Sequence, residues 1–188
     1  MESDERLMSR LAGGDEGALA PLLERWRSPL RGFLARRVGD ADADDLFQET
    51  WLRVVRYRDR YDPQRRFSTW LFQIANNLCR DRGRRREVRV RYRRERQAEA
   101  AGDPARTQPP PVDRALDVRR RVAALPEKLR EVLVLRYYRD LPEKEIARIV
   151  GIPPGTVKSR LHAAVKALRE QEHESAAAPG SKESDERA

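Results

Sequence analysis

The sequence predicts an all-α protein: two small helical domains joined by a flexible linker, the C-terminal one containing a helix-turn-helix. Three observations predict it. Apolar residues recur at helical spacing in two stretches, about 15–86 and 113–172, but not between them. No alternating apolar–polar run with hairpin chemistry occurs anywhere in the chain. And Gly151 separates two helical patterns at a point where a sharp interhelical turn needs positive φ.

Composition sets the class of partner. Of the 188 residues, 39% are apolar and 38% charged, so core-forming residues must be concentrated in a few stretches. Net charge is +9, carried mostly by arginine, whose planar fork binds phosphate and guanine in a bidentate way that lysine cannot. A polyanion is therefore expected, and nucleic acid is favoured over membrane; a merely soluble basic protein is the plain alternative. One cysteine, Cys79, excludes an internal disulfide and a cysteine zinc site, and His162 with His173 cannot form a metal site alone. Met1–Arg10 has no apolar h-region and no run approaches about 20 apolar residues, so a cytosolic protein without a membrane span is expected.

The first informative helix is Asp40–Tyr57. Leu46, Thr50, Val54 and Tyr57 share one stripe with Phe47 and Trp51 beside it, while Asp44, Asp45, Gln48, Glu49 and then Leu52 lie opposite. Acids in the first turns suit the helix dipole, and Glu49 can pair with Arg53 at i,i+4. An acidic surface on a basic protein invites a basic partner. Solubility and dipole decoration compete with that reading, as does a divalent-metal site, although no acid or histidine elsewhere is placed to close a coordination sphere.

A loop with proline and arginines, Tyr61–Phe67, follows, and Ser68 is the expected N-cap of a helix running to about Arg82. Its buried stripe is Leu71, Ile74, Ala75, Leu78 and Cys79; its other face carries Trp70, Gln73, Asn76, Asn77, Arg80, Asp81 and Arg84. Aromatic, amide and arginine side chains together suit unstacked bases held by their edges, with Trp70 packed on the preceding helix as the competing view. Residues 80–96 hold ten arginines against three acids, a run that either solvates or tracks a phosphate backbone.

Residues 87–112 are read as a basic, proline-rich flexible linker ending in Pro109–Pro111, and 173–188 as a disordered tail. Between them, Leu129, Val132, Leu133 and Leu135–Tyr138 supply a core helix, and Leu141–Val150 a shorter one with Ile146, Ile149 and Val150 inward. After Gly151, with Ile152 plugging the turn, a helix from about Gly155 to Glu170 buries Val157, Leu161, Val165 and Leu168. Thr156, Lys158, Ser159, Arg160, His162 and Lys166 then point outward, mostly near the N-terminal end that enters the major groove in such motifs. An ordinary helical hairpin with a solvated basic face is the alternative.

These segments closely resemble extracytoplasmic-function (group IV) sigma factors of the sigma-70 family. Asp42–Val54 and Arg66–Asp81 resemble their region 2, and Gly155–His162 resembles the region 4 recognition helix. The resemblance implies region 2 at 1–86, region 4 at 113–172, and a non-enzymatic promoter-specificity subunit of bacterial RNA polymerase with no cofactor. Asp44, Asp45, Gln48, Glu49 and Leu52 would dock on the β′ clamp helices. Asp62, Arg65, Arg66, Phe67, Ser68, Trp70, Gln73, Asn76, Asn77, Arg80, Asp81 and Arg84 would melt and capture the −10 element, with a flipped base near Asp62–Ser68 and Asn77. Region 4 would sit on the β flap and read the −35 element through Thr156, Lys158, Ser159, Arg160, His162 and Lys166. An anti-sigma factor is the implied regulator; neither membrane insertion nor an obligatory homo-oligomer is implied.

Three departures stand out. Ala163 and Val165 replace polar residues common in the family, so −35 preference cannot be copied from relatives; Pro142 replaces a Ser-type cap; and the tail is too short for an added domain. A conventional dimeric helix-turn-helix regulator would explain only Asp113–Glu172, and an RNA-binding protein only the arginine run.

Overall fold

A computed structural model describes residues 2–98 and 114–177, with side chains described for 2–92 and 118–173. Among the described residues there are eight α-helices and no strand. Helix α1 (Asp4–Ala12) starts behind Ser3, whose hydroxyl accepts the Arg6 N–H at 3.3 Å. It buries Leu7, Met8 and Leu11, a compact apolar stripe obscured in the sequence by the charges around it. After a 3₁₀ turn at Glu16–Ala18 come α2 (Leu19–Val38) and α3 (Asp40–Arg56). Gly39 joins them at φ 91°, a conformation that glycine adopts without a Cβ penalty.

A second 3₁₀ turn (Arg58–Arg60) leads into α4 (Phe67–Ala98). Ser68 is not its cap, as the sequence had suggested. Helical geometry begins one residue earlier, and the first orphan N–H, that of Phe67, donates at 3.1 Å to Glu5 Oε1 of α1. A distant carboxylate has taken the role expected of the local hydroxyl. Nor does α4 stop near Arg82 or Arg86. It carries the arginine run as helix to Ala98, with residues 84–92 exposed. The Pro109–Pro111 segment of the expected linker lies outside the described residues.

The C-terminal half comprises α5 (Arg114–Ala124), α6 (Glu127–Tyr137), α7 (Glu143–Val150) and α8 (Pro154–Ala177). Gly151 stands between α7 and α8 in the left-handed region at φ 74°, ψ 41°. Its N–H and that of Ile152 both donate to Ala147 O, at 2.9 and 3.1 Å. The turn closes as the small residue and glycine require. Helix α8 passes residue 172, where the tail was expected to begin, and the remainder of that tail, 178–188, lies outside the described residues.

Helix α4 organises the packing. On one side it meets α1, α2 and α3; on another it meets α6 and α7. Trp26, Phe33, Phe67 and Phe72 form an edge-to-face aromatic group at 5.1–6.1 Å. The same apolar core continues into Val132, Leu135, Ile146, Ile149 and Val157 of the C-terminal half. Leu125, Leu133 and Ala164 form a smaller core beneath α8. The two helical halves thus share one continuous interior.

Phe67 is completely buried among Trp26, Trp51, Tyr61 and Trp70. Phe67→Ala is expected to lower unfolding stability by about 3–5 kcal/mol in urea titration. A cost below about 1 kcal/mol, typical of a surface site, would contradict this core role.

Candidate nucleic-acid interface

The acidic face of α3 is present and solvated. Asp44, Asp45 and Gln48 are exposed, Glu49 is half-exposed, and Leu52 projects from the same surface at 65% exposure. A single exposed leucine is ordinary on a protein surface; what distinguishes this face is that its exposed residues are otherwise acidic or amide. The acids also have internal partners. Arg31 Nε donates to Asp44 Oδ1 at 2.7 Å, and this hydrogen bond holds the Asp44 carboxyl below the usual aspartate range. Arg82 pairs with Asp42 at 2.9 Å and reaches Asp45 at 3.8 Å. Glu49 and Arg53 form the expected i,i+4 pair at 3.1 Å. The exposed Arg31–Asp44 pair can be exchanged at small cost; those of Arg82 and Arg53 are part-buried.

Beside α4 the loop makes a cleft of ≈ 320 Å³ lined by Arg60, Tyr61, Asp62, Arg65, Trp70 and Gln73. That volume lies near the lower end of small-ligand sites, about 300–1,000 Å³. Asp62 shapes the loop: its Oδ1 accepts the Gln64 N–H at 3.0 Å and its Oδ2 pairs with Arg65 at 3.3 Å. Tyr61 forms the floor, donating its hydroxyl to Arg65 O at 2.6 Å. Trp70 is half-buried, its ring 5.3 Å from Tyr61 and 6.3 Å from Phe67. It packs on the loop tyrosine and on Phe67 of its own helix while lining the cleft. Arg60 is a cleft residue that sequence reading passed over, because it falls in a short turn without helical periodicity.

Not every expected residue shares this surface. Gln73, Asn77 and Arg84 are exposed, and Ser68 and Asp81 are half-exposed. Phe67 faces the core. Asn76 is a correction: it is fully buried, accepting from Arg37 Nη2 at 3.3 Å and donating to Glu131 Oε2 at 3.4 Å. Arg80 turns the same way, with Nε and Nη2 on the Glu131 carboxylate at 2.9 and 3.1 Å. Arg66 pairs with Glu145 at 2.9 Å. Arg66 stays largely exposed, before the first residue of α4; for Asn76 and Arg80 the physical reason is shared. Helix α4 is packed on two sides, so a stripe that looks solvent-facing from the N-terminal half alone faces α6 and α7.

On α8, Lys158, Ser159, His162 and Lys166 are exposed as expected, and Thr156 is half-buried. Ser159 Oγ donates to Thr156 O at 3.1 Å, and Lys166 pairs with Glu170 at 3.7 Å. Arg160 is the second correction. Rather than pointing outward it donates through Nη1 to Glu131 Oε1 at 3.0 Å. The residue that gathers these arginines, Glu131, is 1% exposed and was missed, because a glutamate inside a charged helix carries no local mark of burial.

Two family models match in chain order: Sigma-70 region 2 over residues 22–89 and Sigma-70 region 4 over 115–168. Together they span most of the chain. The ECF RNA polymerase sigma factor SigW of Bacillus subtilis is 31% identical over 182 residues, covering 89% of this chain and 95% of that relative. The chain belongs to the extracytoplasmic-function RNA polymerase sigma factors. This sigma factor is also 37% identical over 172 residues to the RNA polymerase sigma factor CarQ of Myxococcus xanthus, covering 87% of this chain and 94% of that one. Its fold is that of CnrH, solved in complex with the cytosolic domain of CnrY (TM-score 0.67, 24% identity, 92% of this chain and 99% of that). It is likewise that of RpoE from Bartonella quintana, solved with the anti-sigma factor NepR (TM-score 0.66, 22% identity, 82% and 96%). It is a transcription-initiation specificity subunit, not an enzyme. Among the described residues no helix is long and apolar enough to cross a membrane.

The sigma factor's cleft carries its own spectroscopic mark. Burial, followed by the nearby Glu5, Asp62 and Asp4 carboxylates, pushes the Tyr61 phenol up to about 12 from 10.0. The folded state thus keeps a proton that the unfolded chain releases. Stability from this group is complete below pH 10 and falls as pH rises to about 12, where the folded phenol itself titrates. Ultraviolet titration should show a late-ionising tyrosine that disappears in Tyr61→Phe. If every tyrosine titrates together near pH 10, the buried floor of the cleft is refuted.

Proposed function

We propose that three surfaces divide the work of the sigma factor. The acidic face of α3, with Asp44, Asp45, Gln48, Glu49 and Leu52, docks on the β′ clamp helices of core polymerase. The cleft of Asp62, Arg65 and Trp70, with Gln73, Asn77 and Arg84 alongside, takes the −10 element with one base turned out of the stack. The exposed N-terminal part of α8, with Lys158, Ser159 and His162, reads the −35 element in the major groove while region 4 rests on the β flap. Arg66, Asn76, Arg80 and Arg160 join these surfaces once region 2 and region 4 separate. The protein works in the cytoplasm, where core polymerase and promoter DNA are.

The observation that carries this reading is the exposed Leu52 set among exposed carboxylates, on a chain of net charge +9. Duplex binding alone leaves this acidic face unused, whereas a subunit of a larger assembly has a basic partner for it. The cleft supports it further, since an aromatic wall, arginines and an amide are what a flipped base uses.

An anti-sigma factor is the proposed regulator. The recorded complex of RpoE with an anti-sigma factor supports this. So does a groove of ≈ 1250 Å³ between α2, α4 and α5, where arginines, among them Arg36, Arg86 and Arg120, outnumber the carboxylates Asp40, Asp42, Glu87 and Glu127 around Val90 and Val122. Its chemistry suits an acidic amphipathic segment.

Run-off transcription with purified core enzyme on a promoter-fragment library tests the function; tight duplex binding without any promoter-dependent transcript would refute it. Reversing Asp45 and Glu49 to Lys should abolish core binding while leaving helicity intact, because each acid makes one ion pair at or near the surface. Unchanged core affinity would refute the docking face. Lys158→Ala should weaken −35 binding by about 1–3 kcal/mol if it contacts a base. A changed salt slope with no sequence dependence would assign it to phosphate instead.

A further inference from the structure

The cleft beside α4 is built from residues 61–70, a segment whose hydrogen bonds largely close on itself. Asp62 accepts the Gln64 N–H and pairs with Arg65, and Tyr61 donates to Arg65 O. The Thr69 and Trp70 N–H groups both donate to Arg66 O, at 3.1 and 3.3 Å. Phe67, at the start of α4, is different. Its N–H is one of the orphan donors of a helix start, and it donates at 3.1 Å to Glu5 Oε1, 62 residues earlier in the chain. Among the described residues, this bond alone ties the backbone of the segment to an α-helix other than α4.

Glu5 is itself held in place. Ser3 caps α1, and the next residue, Asp4, accepts from Arg25 and, at 3.1 Å, from Trp26 Nε1 of α2. The Trp26 ring meets Phe67 edge-on with centroids 6.1 Å apart. Two consecutive carboxylates therefore brace the start of α4, Glu5 through the backbone and Asp4 through an aromatic wall. Helix α1 also lies against the Arg58–Arg60 turn that leads into the loop. Both ends of the cleft segment thus rest on α1. The Glu5 carboxylate is close enough to Tyr61, the cleft floor, to contribute to the rise in its phenol pKa.

The charge of Glu5 makes this placement informative. A carboxylate near a cleft for nucleic acid opposes the binding of a polyanion, so charge is not what the cleft gains from it. What Glu5 supplies is an acceptor for a part-buried N–H that otherwise lacks a partner. Trp70, the aromatic wall of the cleft, stands one turn further along α4.

We propose that Glu5 is a positioning residue for promoter opening: by capping α4 it holds Trp70 and the loop in the shape that captures a base of the −10 strand. The inference rests on the −10 role proposed above for the cleft. Glu5 acts through Phe67 and Trp70 and does not itself touch the base.

The test uses holoenzyme reconstituted from core polymerase and the full-length chain. Glu5→Ala removes the acceptor, whereas Glu5→Gln keeps an amide oxygen for the Phe67 N–H. The probes are a single-stranded oligonucleotide bearing the −10 element of a promoter recovered by run-off, and a scrambled strand of the same composition. Glu5→Ala should bind the −10 strand about 2–30-fold more weakly, the span of losing one capping acceptor. Affinity for the scrambled strand and for core polymerase should stay at the wild-type level, and Glu5→Gln should restore −10 binding. Charge alone predicts the opposite, tighter binding of both strands by both variants. Tighter or unchanged −10 binding by Glu5→Ala would overturn the inference. So would an equal loss on both strands and on core, the mark of general destabilisation, or a Glu5→Gln variant as weak as Glu5→Ala. In each of those cases a wild-type preference for the −10 strand leaves the role of the cleft standing. A wild-type holoenzyme without that preference would instead overturn the role of the cleft, and this inference with it.

Discussion

The buried carboxylate of Glu131 is the point around which the described structure turns. A charge removed from water is tolerated only if it is paired and hydrogen-bonded, and here the partners come from α2, α4 and α8 together. That requirement fixes where α6 can sit, and α7, packed on α6, lies against α4 while α8 packs on α6 and α7. Apolar contacts supply the bulk of the attraction, since Val132, Leu135, Ile146 and Ile149 merge with the region 2 core. Ion pairing supplies the register. Nondirectional apolar burial would allow α6 to slide along α4; a bidentate arginine on a buried carboxylate does not.

Around this centre the surfaces are arranged by use. The acidic face of α3 and the loop cleft lie away from Glu131 and are open to solvent. The arginines nearest the centre are occupied. Arg80 and Arg160 are long side chains with rotatable stems, so the same residues can serve an internal carboxylate in one state and a phosphate in another.

Much of the site was legible before any coordinates. The acidic patch follows from periodicity, because one side of an amphipathic helix must face water and Asp44, Asp45, Gln48 and Leu52 fall there. The Gly151 corner follows from the steric demand for positive φ. What misled was the treatment of α4 as an ordinary amphipathic helix with one buried side. Asn76 and Arg80 were placed on its solvent face although both meet α6. The capping of α4 by Glu5 was equally hidden, since the two residues are far apart in the chain and each looks unremarkable locally.

The helices of the two motifs, the turn between α7 and α8, the charge of the exposed face of α3, and the family can all be read from the chain alone. All of these depend on local periodicity, local sterics or short motifs. Only the tertiary structure decided that the halves share one core, that Phe67 and Asn76 are interior, and that Glu131 gathers arginines from both halves. Those facts depend on which surfaces meet, and a polar residue's sequence neighbours do not record whether its partner is water or an arginine brought from a distant helix.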